Sequence, residues 1–105
     1  MTRADLQIGQ QLTQSLHSSS RFAYHYPELH REWIEQSEYV VSLSVDNEEQ
    51  LQNLYDNLKS NGASVVAFRE PYYDNQLTSI CYYGTPVMRK LMRKSTPNLD
   101  LALKN

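Results

Sequence analysis

The spacing of apolar side chains divides the chain into seven predicted elements. Ile8, Leu12, Leu16 and Ala23 recur at near-helical intervals and predict a helix over 5–25, with Asp5 as its cap. The opposite face of that helix is rich in glutamine and serine: Gln7, Gln10, Gln11, Gln14, Ser15 and Ser18. Gly9 weakens its first turn. Tyr26-Pro27 breaks the helix, because the residue before a proline resists α geometry. Pro27 is suited to open a second, shorter helix over 28–35. Leu29 and Trp33 lie one turn apart there, and Trp33 is the expected anchor of this helix on the body. Tyr39, Val41, Leu43 and Val45 alternate with Val40, Ser42 and Ser44, which predicts a strand over 40–45. Asp46 and Glu49 then form a D-x-x-E capping box. Leu51, Leu54, Tyr55 and Leu58 follow at i, i+3, i+4 and i+7, and Gly62 supplies the left-handed residue that ends this helix.

Two further strands are predicted over 63–70 and 77–84, each holding a nearly continuous apolar run of the central-strand kind. The link Pro71-Tyr72-Tyr73-Asp74-Asn75-Gln76 has turn chemistry, so these strands form an antiparallel hairpin. Pro86 opens a last helix over 87–94, with Val87, Leu91 and Met88 as its inward positions and Pro97 as its stop. Leu99, Leu101 and Leu103 alternate over 98–105, as in a short edge strand or a docked tail. The strand–helix–strand order over 40–70 requires a crossover. Its two strands are therefore expected to run parallel and side by side, with the helix on one face. The fold class is α/β.

Composition narrows this picture. A chain of 105 residues is read as one domain, residues 1–105, able to bury one modest core. Apolar residues make up 40 %, and eight tyrosines supply most of the aromatic content. Tyrosine packs its ring while its hydroxyl stays wet, which suits either sheet packing or a partner surface. A net charge of −2 excludes binding of polyanions by bulk charge. The charge is uneven, however. Acidic residues crowd the middle of the chain, and Arg89, Lys90, Arg93 and Lys94 cluster near its end. A lone cysteine, Cys81, allows no intrachain disulfide and sits among apolar neighbours as a buried thiol would. No apolar signal region or membrane-length run is present, so a soluble, cytoplasmic protein is expected.

With Gln14-Ser15-Leu16-His17 on the first helix and Leu77-Thr78-Ser79-Ile80 after the hairpin loop, the chain resembles the type II peptidyl-tRNA hydrolases of archaea and eukaryotes. The similarity runs from about Asp5 to Leu101. The short Glu-Pro loop is similar to the divergent relatives found in phages. The resemblance implies a three-layer α/β/α sandwich around a small mixed sheet of three or four strands. It also implies cleavage of the ester between a stalled peptide and its tRNA, without a metal or other cofactor. The family's Gln-x-x-His element falls on Gln14 and His17, its loop aspartate on Glu70, and its strand-opening threonine on Thr78. Three family features are changed. No lysine precedes Lys59, so Gln10 and Gln11 stand where a glycine-flanked lysine is expected. The hairpin loop is about four residues shorter. The leading strand is missing or very short, since only 1–4 precede Asp5. A sheet edge uncovered by that loss would invite a homodimer or a partner strand.

The candidate catalytic residues are thus His17, Glu70, Asp74 and Thr78. His17 can serve as base or phosphate ligand, or simply be a solvated helix residue. Glu70 and Asp74 bracket the loop and could divide acid–base work, although Asp74-Asn75 is also an ordinary turn pair. Thr78 could position water or the ester carbonyl, or be a β-branched strand residue. The candidate nucleic-acid contacts are Gln14, Tyr72, Tyr73, Arg89, Lys90, Arg93 and Lys94. The tyrosines could stack on a base, and the basic helix could line a phosphate backbone or merely form a solvated face. His25 and His30 have no ligand spacing for a metal. The sequence supports either a peptidyl-tRNA-hydrolase-like domain or an inactive relative that binds RNA or a protein.

Overall fold

A computed structural model describes residues 1–95 and 100–101. The elements are β1 (Thr2–Arg3), α1 (Ile8–His25), α2 (Pro27–Gln36), β2 (Leu43–Val45), α3 (Glu48–Ser60), β3 (Val65–Glu70), β4 (Gln76–Tyr82), α4 (Pro86–Ser95) and β5 (Asp100–Leu101). A 3₁₀ turn, Pro71–Tyr73, joins β3 to β4. The strands form one mixed sheet in the order β3-β4-β1-β2-β5. β1 is parallel to β2, while β4 is antiparallel to both β1 and β3.

The leading strand is therefore present. It is two residues long and central, so it leaves no open edge where one was expected. The β2 and β3 strands do run in the same direction, but β4 and β1 lie between them, which corrects the expectation of neighbours. A crossover fixes direction, not adjacency. Leaving β2 for β3 reverses the sense of travel across the sheet set by β1 to β2. Two right-handed crossovers of opposite sense must place their helices on opposite faces. Hence α1 and α2 cover one face, α3 and α4 the other, and the fold is an α/β sandwich of three layers.

The apolar core lies on the α3 face. Leu51, Leu54 and Leu58 of α3 pack with Val45, Val65, Leu77, Ile80 and Met92. The cap of α3 is Asn47, one residue later than predicted: its side chain accepts from Gln50 N–H at 3.0 Å, and Gln50 Oε1 accepts from Asp46 N–H. Gly62 has the expected positive φ of 82°. On α4 the inward residues are Met88 and Met92, while Val87 is exposed; the side chain of Leu91 lies outside the described residues. So do the expected stop at Pro97 and the tail positions Leu99 and Leu103. Asp100–Leu101 forms the predicted short edge strand, paired with β2.

The α1 helix inverts the usual amphipathic arrangement. Its buried residues are Gln11, Gln14, Ser18 and Phe22, whereas Ile8, Leu12 and Leu16 are 44, 50 and 59 % exposed. The cause is in β4. Phe68 pairs with Ser79 but Arg69 with Leu77, so Thr78 is an extra residue in a β-bulge. The bulge turns Thr78 and Ser79 together toward α1 and leaves both Leu77 and Ile80 in the core. A leucine stripe laid over those hydroxyls would strand them without partners, at a cost of roughly 1–3 kcal/mol each. Asp5 does not cap α1, which starts after Gln7 without a side-chain cap. Trp33 does not anchor α2 in the core: its indole N–H donates to Tyr39 O at 2.7 Å, and α2 buries no residue.

This asymmetry predicts unequal mutational costs. Leu58→Ala is expected to lose about 2–5 kcal/mol of stability. Leu12→Gln should change it by no more than about 0.5 kcal/mol. Urea titration followed by circular dichroism measures both.

Candidate functional site

Residues that the sequence separates by 64 positions meet at the α1–β4 contact. Thr78 Oγ1 donates to Gln14 Oε1 at 2.8 Å, Ser79 Oγ donates to Gln14 O, and Gln14 Nε2 donates to Gln10 Oε1 at 3.3 Å. Below them Thr2 Oγ1 donates to Thr78 O at 2.8 Å. Among the described residues no buried side-chain polar atom lacks a partner. Thr78 is 0 % exposed. Its hydroxyl is engaged and enclosed, so it positions α1 and does not face a substrate. The buried Gln14 is in the same situation and does not reach a ligand.

The exposed part of the site lies one turn further along α1. The His17 ring stacks on Phe68 of β3 at 4.6 Å between centroids and 21° between planes. The Arg21 guanidinium sits 5.7 Å from the same ring, within cation–π range. Glu70 follows Phe68 by two residues and so shares its sheet face. The hairpin loop then projects beyond the strand ends. Its Glu70 carbonyl accepts from Asn75 N–H at 3.0 Å. Asp74 and Asn75 hold φ of 52° and 59°, a left-handed geometry that these two residue types tolerate. Tyr72 at the tip is 91 % exposed, and Tyr73 is half-buried.

His17 and Glu70 thus lie on the α1 face of the sheet, with Gln14 and Thr78 beneath, and Tyr72 and Asp74 lie on the loop that leaves Glu70. The basic helix does not join them. Arg89 and Lys90 lie on α4 in the opposite layer, with Arg89 over the Tyr39 ring at 6.0 Å. The side chains of Arg93 and Lys94 lie outside the described residues. A single short nucleic-acid stem cannot lie on His17 and Arg89 without passing around the sheet.

A charged cluster at the carboxyl end of β1 was not foreseen. Arg3 clamps Asp5 through two bonds of 2.9 and 2.8 Å and also donates to Gln76 Oε1 and Leu77 O. Glu48, at the first turn of α3, accepts from Leu77 N–H at 2.7 Å. The Arg3 bonds hold the Asp5 carboxyl below the usual carboxylate range, and Asp5 and then Glu48 raise Arg3. The one legible clue was an arginine two residues before an aspartate, which is weak without knowledge of the strand. Burial pushes the Cys81 thiol up, which keeps it protonated and unreactive at neutral pH. Among the described residues no three His, Cys, Asp or Glu side chains are grouped to hold a metal ion, and no helix is long and apolar enough to cross a membrane. The chain matches no protein-family model, and no curated protein matches it.

Two outcomes follow. Thr78→Val should cost about 1–3 kcal/mol by leaving Gln14 Oε1 without its donor. Adding Gln14→Met should recover part of that loss, which a double-mutant cycle in urea would detect. Asp5 has a lowered folded value, so its contribution is present above the ordinary carboxylate pKa and is lost as pH falls through that lowered value. Because the side chain is 41 % exposed, Asp5→Asn should cost under about 1 kcal/mol at pH 7. It should cost nothing in acid, as thermal melts across pH would show.

Proposed function

We propose that this chain is a peptidyl-tRNA-hydrolase-like domain that engages the acyl-bearing end of tRNA on the α1–hairpin side. The observation that supports the reading is the Gln14–Thr78 bond. The two residues that carry the resemblance, distant in sequence, form one contact that orients His17. In this reading Tyr72 stacks on an unpaired base at the acceptor end, and His17 and Arg21 meet backbone phosphate. The Glu70 carboxylate takes a proton from water as the water oxygen attacks the ester carbonyl. The ester C–O bond then breaks, and the proton passes to the departing ribose oxygen. Gln14 and Thr78 hold the helix in place, and the enclosed Thr78 hydroxyl positions neither water nor the ester carbonyl. The α4 basic face is left to a more distant part of the RNA, to a different partner or to solvent.

A second reading, an inactive relative that binds RNA or protein through the same face, is favoured by that same enclosure and by glutamines standing where a lysine is expected. Peptide release from peptidyl-tRNA, measured beside equilibrium tRNA binding, separates the two. The hydrolase reading expects release above background. It expects Glu70→Gln to lower the rate about 10²–10⁴-fold with little change in binding. Tyr72→Ala should weaken tRNA binding by about 1–3 kcal/mol. Binding without release selects the inactive relative. Loss of salt dependence in tRNA binding would remove the phosphate contacts from either reading.

A further inference from the structure

We propose that the outer edge of β3 is a self-association strand, pairing antiparallel with β3 of a second copy of this chain about a two-fold axis at Ala67. This inference is independent of the tRNA reading. Among the described residues β3 is an outer strand of the sheet. Tyr83 N–H donates to Ser64 O at 3.1 Å, which extends the register that sets Val66 opposite Cys81 and Phe68 opposite Ser79. Hydrogen-bonded residues alternate along an antiparallel ladder. Ser64, Val66 and Phe68 therefore direct their main-chain groups to β4, and Val65 and Ala67 direct theirs outward.

The centre of the strand carries none of the devices that block a partner, and the charged residues Arg69 and Glu70 stand at its end. Residues 65–68 hold no charge and no proline, and the bulge is on β4; these are the usual devices that protect an edge. The Arg69 side chain is drawn aside, donating to Gln52 Oε1 at 2.6 Å. An open groove of about 410 Å³ runs beside the edge, lined by His25, Tyr26, Tyr55, Val65, Val66 and Ala67.

The strand is self-complementary, which selects a second copy as the occupant. Outward-facing groups must pair with outward-facing groups. The register that does so with the longest overlap sets Ala67 opposite Ala67 and Val65 opposite Arg69. It also sets Val66 opposite Phe68, an aliphatic–aromatic pair of the favourable cross-strand kind. Arg69 then never faces Arg69, and Glu70 faces Ser64. The two sheets become one, with both α1 layers on the same face.

Amide exchange and sedimentation of the whole chain test this directly. As concentration rises, the sedimenting mass should climb from 12.2 kDa toward twice that value. Protection of the Val65 and Ala67 amides should increase at least about tenfold, while Val66 and Phe68 stay protected throughout. In a Cys81→Ser background, Ala67→Cys should form an intermolecular disulfide, because facing Cα atoms at such a pair lie about 5.5 Å apart. Val65→Cys should not. Ala67→Pro should abolish the dimer; its circular dichroism spectrum reports whether the fold survives, and the disulfide test stands if it does not. A monomer at all concentrations would overturn the proposal. So would a dimer whose Ala67 amide still exchanges freely, or protection that appears only when an unrelated extended peptide is added.

Discussion

The placement of α1 depends on one side chain. Gln14 is buried between the helix and the sheet and accepts from Thr78 through its amide oxygen and from Ser79 through its main-chain carbonyl. Most of the apolar burial energy comes from the other face, where the α3 leucines pack. The α1 face contributes a satisfied polar seam instead, with Thr2, Ser18, Thr78 and Ser79 enclosed beside Gln14. Such bonds add little net stability each, about 1 kcal/mol, but are costly to break. Their effect is therefore directional. They allow one rotation and one height of α1 over the sheet, and a helix held only by leucines could slide. The β4 bulge is part of the same device, since without the extra residue Thr78 and Ser79 would point to opposite faces.

That geometry carries through to the surface. Fixing Gln14 fixes His17 one turn later, and the ring then stacks on Phe68. The strand that holds Phe68 leads through Glu70 into the hairpin loop, whose left-handed Asp74 and Asn75 reverse the chain tightly enough to leave Tyr72 in solvent. At the carboxyl ends of the strands, Arg3 spends its charge on Asp5. It therefore fixes the β1–α1 junction instead of offering a free cation to an anionic ligand.

The sequence was legible where a pattern is local. The leucine spacing of α3 and the turn chemistry of the β3–β4 hairpin needed no tertiary information, and both appear as read. Misreadings arose where pairing is non-local. β1 has two residues, too few for any periodicity, and is a strand only because β2 and β4 flank it. The α1 stripe of Ile8, Leu12 and Leu16 has helical spacing, but spacing gives a face and not its direction. The direction was decided by hydroxyls 64 residues away. Val87 was misassigned for a related reason: α4 meets the core through Met88 and Met92, and flexible methionines fill whatever gap the other elements leave. For the candidate site, the residue types were visible but their depth was not. Gln14 reads as a nucleic-acid contact and Thr78 as either a catalytic hydroxyl or a strand residue, and both are buried.

Depth also decides which chemistry this face can support. A group that acts on a bound ester must reach the reacting atoms, and a hydroxyl already donating at 2.8 Å inside a closed seam cannot do so without breaking α1 from the sheet. In the proposed reading that work would fall on the rim, on Glu70 and His17. The cation beside His17 is Arg21, which sits over the same Phe68 ring. In the proposed reading, developing negative charge would be met by Arg21 or by main-chain N–H groups.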